Sequence, residues 1–156
     1  MRRDSRRTFA LGAALFALTL TTGAAAPSVT AIPKQTMITV YKDPSCGCCK
    51  NWIAHLIKHG YGVDAKDTPA MAEVKRTLGV PDALTSCHTA VVNGYLIEGH
   101  VPAADIARLL KERPKVAGLA VPGMVTGSPG MEGPRQEHYQ VLSFDKNGKT
   151  RVFASY

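Results

Sequence analysis

Three of the four cysteines in this 156-residue chain stand in one cluster, Cys46-Gly47-Cys48-Cys49, and the fourth, Cys87, stands alone further on. Three thiols so close together cannot all pair locally as disulfides. Adjacent Cys48 and Cys49 also point in different directions, which suits sulfurs shared among several metal ions. Two chemistries fit such a cluster: binding of soft metal ions and thiol–disulfide exchange. Both act through thiolate, and thiolate is favoured over thiol at the N-terminus of a helix.

Soft thiolates select Cu(I), zinc or iron–sulfur clusters. Zinc sites usually take two ligands from each of two separated pairs, which C-x-C-C plus one distant cysteine matches poorly. Iron–sulfur clusters prefer more open spacing. Cu(I) accepts low coordination and lets one sulfur bridge two ions, so crowding becomes an advantage. A multinuclear copper–thiolate cluster is the reading that uses Cys46, Cys48, Cys49 and Cys87 together. Met124 and Met131 are candidate outer ligands, since thioether is also soft; the alternative is that they pack as flexible apolar side chains. His88 follows Cys87 directly. Adjacent residues on an extended segment point to opposite faces, so a hydrogen bond to a ligand is expected of His88 before direct ligation. His55 and His59, four apart, read as surface residues. His100 precedes Pro102, and nothing in the sequence decides its direction. Trp52 reads as an anchor in the core.

The competing chemistry is a thiol–disulfide oxidoreductase using Cys46 and Cys49, which have C-x-x-C spacing. Cys48, lying between that pair, would invite wrong pairing. A purely structural disulfide framework is a third reading, because an exported chain meets an oxidising compartment.

The elements that must position these residues follow from patterning. Met37–Tyr41 is β-branched and aromatic and reads as a strand. From Cys48 to His59 the residues Ile53, Leu56 and Ile57 share one helical face, and Gly60 stops the helix. Tyr61–Asp67 reads as a second strand and Ala70–Leu78 as a second helix, ended by Gly79. Thr89–Asn93 and Tyr95–Glu98 form strands joined at Asn93-Gly94, a hairpin dipeptide. Pro102 suits the first position of a third helix running to Glu112. Residues 115–135 are dominated by Gly and Pro, which predicts no regular helix or strand; so long a connection is expected to be functional and to fold over the site. Tyr139–Phe144 and Thr150–Ser155 read as strands around Asn147-Gly148.

The order β-α-β-α-β-β-α predicts an α/β fold, a mixed sheet flanked by helices with a C-terminal β-hairpin extension. It resembles the thioredoxin fold, in which a C-x-x-C pair caps the first helix and a cis-proline stands in the loop before the third core strand. Here that loop is Ser86-Cys87-His88-Thr89, with a cysteine in place of the proline. The fold would deliver Cys87 to the other three sulfurs from across the sheet.

The N-terminus reads as an export signal. Arg2, Arg3, Arg6 and Arg7 precede an apolar run from Phe9 to Leu20, too short to span a bilayer, and then small residues. Ser5-Arg6-Arg7-Thr8-Phe9 resembles a twin-arginine signal, a route that carries folded protein. An uncleaved membrane anchor is the alternative. Cleavage is expected between Ala24 and Ala31, so residues 1–31 comprise the signal and a short lead, and residues 32–156 a single domain. Loss of residues 1–26 removes four arginines and one aspartate, and the net charge of +7 becomes +4. The remaining charges are dispersed, with no basic stripe, which argues against nucleic acid as a partner. No membrane association of the mature form is expected.

Four linked stretches are together similar to the CopG-type periplasmic copper-resistance proteins. They are Tyr41-Lys42-Asp43-Pro44-Ser45-Cys46-Gly47-Cys48-Cys49, Ser86-Cys87-His88-Thr89-Ala90, Glu98-Gly99-His100-Val101-Pro102-Ala103, and the run from Gly118 to Met124 continued by Gly127-Ser128-Pro129-Gly130-Met131-Glu132. The resemblance covers nearly all of the mature chain. It implies a thioredoxin-like fold in the periplasm, a cysteine-bridged copper cluster and a role in handling excess copper, with electron transfer between Cu(I) and Cu(II) left open. It carries over first to Cys46, Cys48, Cys49 and Cys87, then to Met124 and Met131, and last to His88. Copper ions, and other periplasmic copper-handling proteins, are the partners it implies. The expectation is a metal-binding protein more than an enzyme.

Overall fold

The structure, a computed structural model, describes residues 35–156; the expected export segment, residues 1–31, lies outside the described residues. Strand β1 (Met37–Lys42) alternates exposed and buried side chains, with Ile38 and Val40 fully buried, the period-two pattern of a strand with one face in the core. Helix α1 (Gly47–Lys58) follows and returns the chain to β2 (Gly62–Asp67), which pairs parallel to β1. This is a strand–helix–strand unit whose helix covers one face of the sheet. Trp52 and Leu56 of α1 are fully buried, and the indole N–H donates to the Val101 carbonyl at 2.9 Å.

Helix α2 (Met71–Leu78) ends at Gly79 in the left-handed conformation. A short 3-10 turn (Asp82–Leu84) leads into β3 (His88–Val92), antiparallel to β1. Asn93 and Gly94, both at positive φ (46° and 85°), turn the chain into β4 (Tyr95–Glu98); their sequence matches the two-residue turn that suits twisted hairpins. Helix α3 (Ala103–Glu112) buries Ile106 and Leu109 against the same core as α1. Pro102 stands at its N-cap, one place before the position expected from sequence.

The Gly/Pro-rich stretch departs from expectation at one place. Gly118–Ala120 form β5, parallel to β4 and antiparallel to β6 (Gln140–Phe144). A Cβ on Gly118 would stand 2.0 Å from the Leu96 carbonyl oxygen, so glycine there permits the close approach of β5 to β4. The predicted C-terminal hairpin extension, β6 with β7 (Thr150–Ser155), joins the sheet through β5. It continues a seven-stranded mixed sheet in the order β2-β1-β3-β4-β5-β6-β7. The first four strands in that order, with α1 and α3 packed on one face, are the thioredoxin-like core. The last residue secures the extension: the Tyr156 hydroxyl donates to Asp105 Oδ2 at 2.7 Å, and the Arg108 guanidinium lies 3.7 Å above the Phe153 ring. Among the described residues no helix is long and apolar enough to cross a membrane.

Candidate metal centre

The cysteine cluster sits where β1 hands over to α1. Asp43 Oδ1 accepts from the backbone N–H and the hydroxyl of Ser45, and Cys46 N–H donates to the Asp43 carbonyl at 3.1 Å. This turn sets Cys46 as the N-cap of α1, where its Sγ accepts from Cys49 N–H at 3.3 Å. Sulfur thus takes the place that a hydroxyl or carboxylate oxygen normally fills, satisfying one of the free N–H groups of the first turn. No acidic side chain stands in that turn, so negative charge on the sulfurs meets the positive end of the helix without competition.

Cys46 and Cys49 are joined as a disulfide, while Cys48 and Cys87 are free. Cys48 Sγ lies 3.5 Å from Cys46 Sγ on one side and 3.9 Å from Cys87 Sγ on the other. All four sulfurs fall within 4.8 Å of one another. Cys49 is buried and the other three are half-buried. Cys87 reaches this group from the loop before β3, the position where the sequence places it.

The same Cys87 sulfur touches two imidazoles. His88 Nδ1 lies 3.3 Å from it and His100 Nε2 3.0 Å, so Cys87, His88 and His100 form a second group of candidate ligands sharing one sulfur with the first. The opposite-face expectation for His88 is corrected here. Cys87 precedes the strand that His88 begins, so strand alternation does not apply across that bond. His88 is fully buried, with its ring 4.3 Å from Trp52 and 4.9 Å from His100 between centroids. Its Nε2 is buried without a hydrogen-bond partner. Burial, and then repulsion from His100 and Lys75, holds its pKa well below 6.5; burial also lowers that of His100. Both rings are therefore neutral near pH 7, the form that ligates metals. Burial first, and then the charge of the neighbouring Cys48 sulfur, pushes the Cys87 thiol up to about 12. Without a metal Cys87 keeps its hydrogen, and any ion bound there must displace a proton.

The Gly/Pro-rich stretch brackets the sulfurs. Gly123 N–H donates to the Thr85 carbonyl at 3.1 Å and the Gly123 carbonyl accepts from the Ser86 hydroxyl, at the two residues that precede Cys87. Further on, the Pro129 carbonyl accepts from His100 Nδ1 at 2.7 Å. Gly130 (φ +84°) lies against the first turns of α1, where a Cβ would stand 2.6 Å from Trp52 N and 2.9 Å from the Cys48 carbonyl oxygen. Met124 and Met131 directly follow these two anchored glycines. Met131 is half-buried, and Met124 is 61% exposed.

Beneath the site lies an ion pair that sequence patterning does not reveal. Glu98, fully buried, accepts from Lys75 Nζ at 2.5 Å, from the Thr89 hydroxyl at 2.6 Å and from Ser86 N–H at 2.6 Å. Burial raises the Glu98 pKa, against the opposing pull of Lys75 and the hydrogen bonds. The carboxylate fixes the backbone one residue before Cys87. His55, expected on the surface, instead ties two helices together. Its Nε2 accepts from Ala103 N–H at 3.1 Å and so caps α3, while the His59 ring leans against it at 47° with centroids 4.3 Å apart.

Over residues 84–131 the sequence matches a family described as a protein of unknown function, DUF411. No curated protein matches the chain. Two solved structures do. One, described as copper resistance protein CopG, form 2, is 49% identical, with a TM-score of 0.75 over 79% of this chain and 99% of that one. The other, form 1 of copper resistance protein CopG, is 49% identical, with a TM-score of 0.74 over 79% of this chain and 98% of that one.

Proposed function

The chain belongs to the family of the CopG copper-resistance proteins, and from that premise we propose that it binds copper in the periplasm on a cysteine-bridged cluster of more than one ion. The ligands in this reading are Cys46, Cys48, Cys49 and Cys87, with Met124, Met131 and His88 as outer candidates. The observation that carries it is the arrival of Cys87 Sγ, from 39 residues away, at 3.9 Å from Cys48 Sγ. The donor chemistry fits: crowded thiolates with thioether and imidazole nearby select Cu(I) and tolerate bridging. Four thiolates become available once the Cys46–Cys49 disulfide is opened.

Copper held there is cargo, with a one-electron couple between Cu(I) and Cu(II) that the protein can use to detoxify it. The chain's own part is to supply the sulfurs, to support their charge with the α1 N-terminus, and to limit solvent with the 115–135 segment. Residues 1–31 are the proposed export signal and lead, and residues 32–156 the proposed mature domain, which would exchange copper with other periplasmic copper-handling proteins. Metal analysis of protein purified under reducing conditions from copper-fed cells tests this: more than one copper per chain is expected, and one or fewer would overturn the cluster.

One observation favours the second reading, thiol–disulfide exchange. The Cys46–Cys49 pair is closed at a helix N-terminus, with Cys48 Sγ 3.5 Å from Cys46 Sγ. That reading wins if Cys46→Ser abolishes reduction of a test disulfide while Cys87→Ser leaves copper uptake intact.

A further inference from the structure

The disulfide leaves an orderly set of donors unused. His100 Nδ1 lies 2.7 Å from the Pro129 carbonyl oxygen. A carbonyl only accepts, so Nδ1 carries the ring hydrogen, and in a neutral imidazole Nε2 then holds the free lone pair. That lone pair points at Cys87 Sγ, 3.0 Å away. An imidazole pinned through one nitrogen by a backbone carbonyl, with the other aimed at a thiol, has the posture of a metal ligand. His88 Nδ1 meets the same sulfur at 3.3 Å, and the candidate donor atoms of Cys87, His88 and His100 lie within 4.8 Å of one another. Cys48 Sγ stands 3.9 Å from Cys87 Sγ, close to the ~3.8 Å edge that two sulfurs make around one tetrahedrally bound ion. None of these four side chains is consumed by the Cys46–Cys49 disulfide.

We propose that, with Cys46 and Cys49 joined, the protein holds a single copper ion on Cys87, His88 and His100 with Cys48 beside it, and that opening the disulfide raises its capacity to the cluster. The inference rests on the copper reading above and adds His100 as a ligand. One thiolate with two imidazoles is a set that serves both Cu(II) and Cu(I). Opening the disulfide takes two electrons and two protons, supplied by a dithiol that leaves as its own disulfide, while Cys46 and Cys49 become thiols. Capacity for copper would thus follow the redox state of the compartment.

The test uses Cu(I) alone, added without oxygen to three samples: wild-type protein with the disulfide closed, wild-type protein reduced by a dithiol, and the Cys46→Ser/Cys49→Ser variant. Bound copper is counted, and its neighbours are read by X-ray absorption. The closed wild type and the variant should each bind one ion per chain with imidazole scattering, and the reduced wild type should bind more. In the closed form, His100→Gln should remove part of that scattering and weaken binding by about tenfold or more. If the closed wild type binds no copper while the reduced form loads several ions, this inference falls and the cluster stands. Copper bound without imidazole neighbours, or unchanged by His100→Gln, would also overturn it. If all three samples bind one ion with imidazole scattering, the cluster falls and the single-ion site stands. The closed wild type carries no substitution, so misfolding of a variant does not decide the result.

Discussion

The sulfurs of Cys48 and Cys87, 39 residues apart in the chain, lie 3.9 Å apart in space. Neither local segment produces this closeness. Cys48 is placed by the first turn of α1, and Cys87 by the loop before β3, which is held from below through Ser86 and Glu98. The site therefore depends on the pairing of β1 with β3 as much as on the cysteines themselves.

Removing the carboxylate under the loop should be costly. Glu98→Ala would leave the Lys75 ammonium buried without its partner and Ser86 N–H without an acceptor. A loss of about 3–5 kcal/mol in stability is expected, read from the urea midpoint of the metal-free protein. A midpoint unchanged from wild type would show that the pair does not hold the loop.

Gly130→Ala should damage the strap that crosses α1. A Cβ there meets the Trp52 and Cys48 backbone at under 3 Å, at a φ of +84° that alanine resists. About 2 kcal/mol of destabilisation is expected, together with faster transfer of bound copper to a chelator. Wild-type stability and release would mean that the segment does not pack on the helix in solution.

Met124→Ala with Met131→Ala should speed copper loss to a chelator and leave folding stability nearly intact, since neither side chain is fully buried. Unchanged affinity and unchanged release would rule out Met124 and Met131 as ligands.

Acid should weaken the metal-free protein. The folded-state pKa values of His88, His100 and His55 all lie below 6.5, chiefly through burial. The unfolded chain takes up these protons first, so their contribution is complete above pH 6.5 and is lost as pH falls through the folded values. The urea midpoint should drop between about pH 7.5 and about pH 5.5. No drop across that interval would contradict the burial of these rings.

Sequence patterning foretold most of the scaffold because its signals are local. The Gly60 and Gly79 stops and the Asn93-Gly94 turn each follow from a few neighbouring residues. What stayed hidden depends on tertiary partners. β5 has only three residues and opens with a glycine, and it becomes a strand only because β4 and β6 flank it. The Lys75–Glu98 pair has no local signal, because it forms only when α2 and β4 come together. His100 had no direction until the Pro129 carbonyl pinned one of its nitrogens. Strand alternation misplaces the His88 side chain because the strand begins only after Cys87, while its contact with the Cys87 sulfur is the hydrogen bond expected of it.

The central claim is that Cys87 completes the metal site begun by Cys46, Cys48 and Cys49. Anaerobic titration of fully reduced protein with Cu(I) tests it most directly, with wild type and Cys87→Ser compared side by side. Wild type should load more than one ion per chain, and Cys87→Ser fewer than wild type. Equal loading of the two proteins would contradict the account.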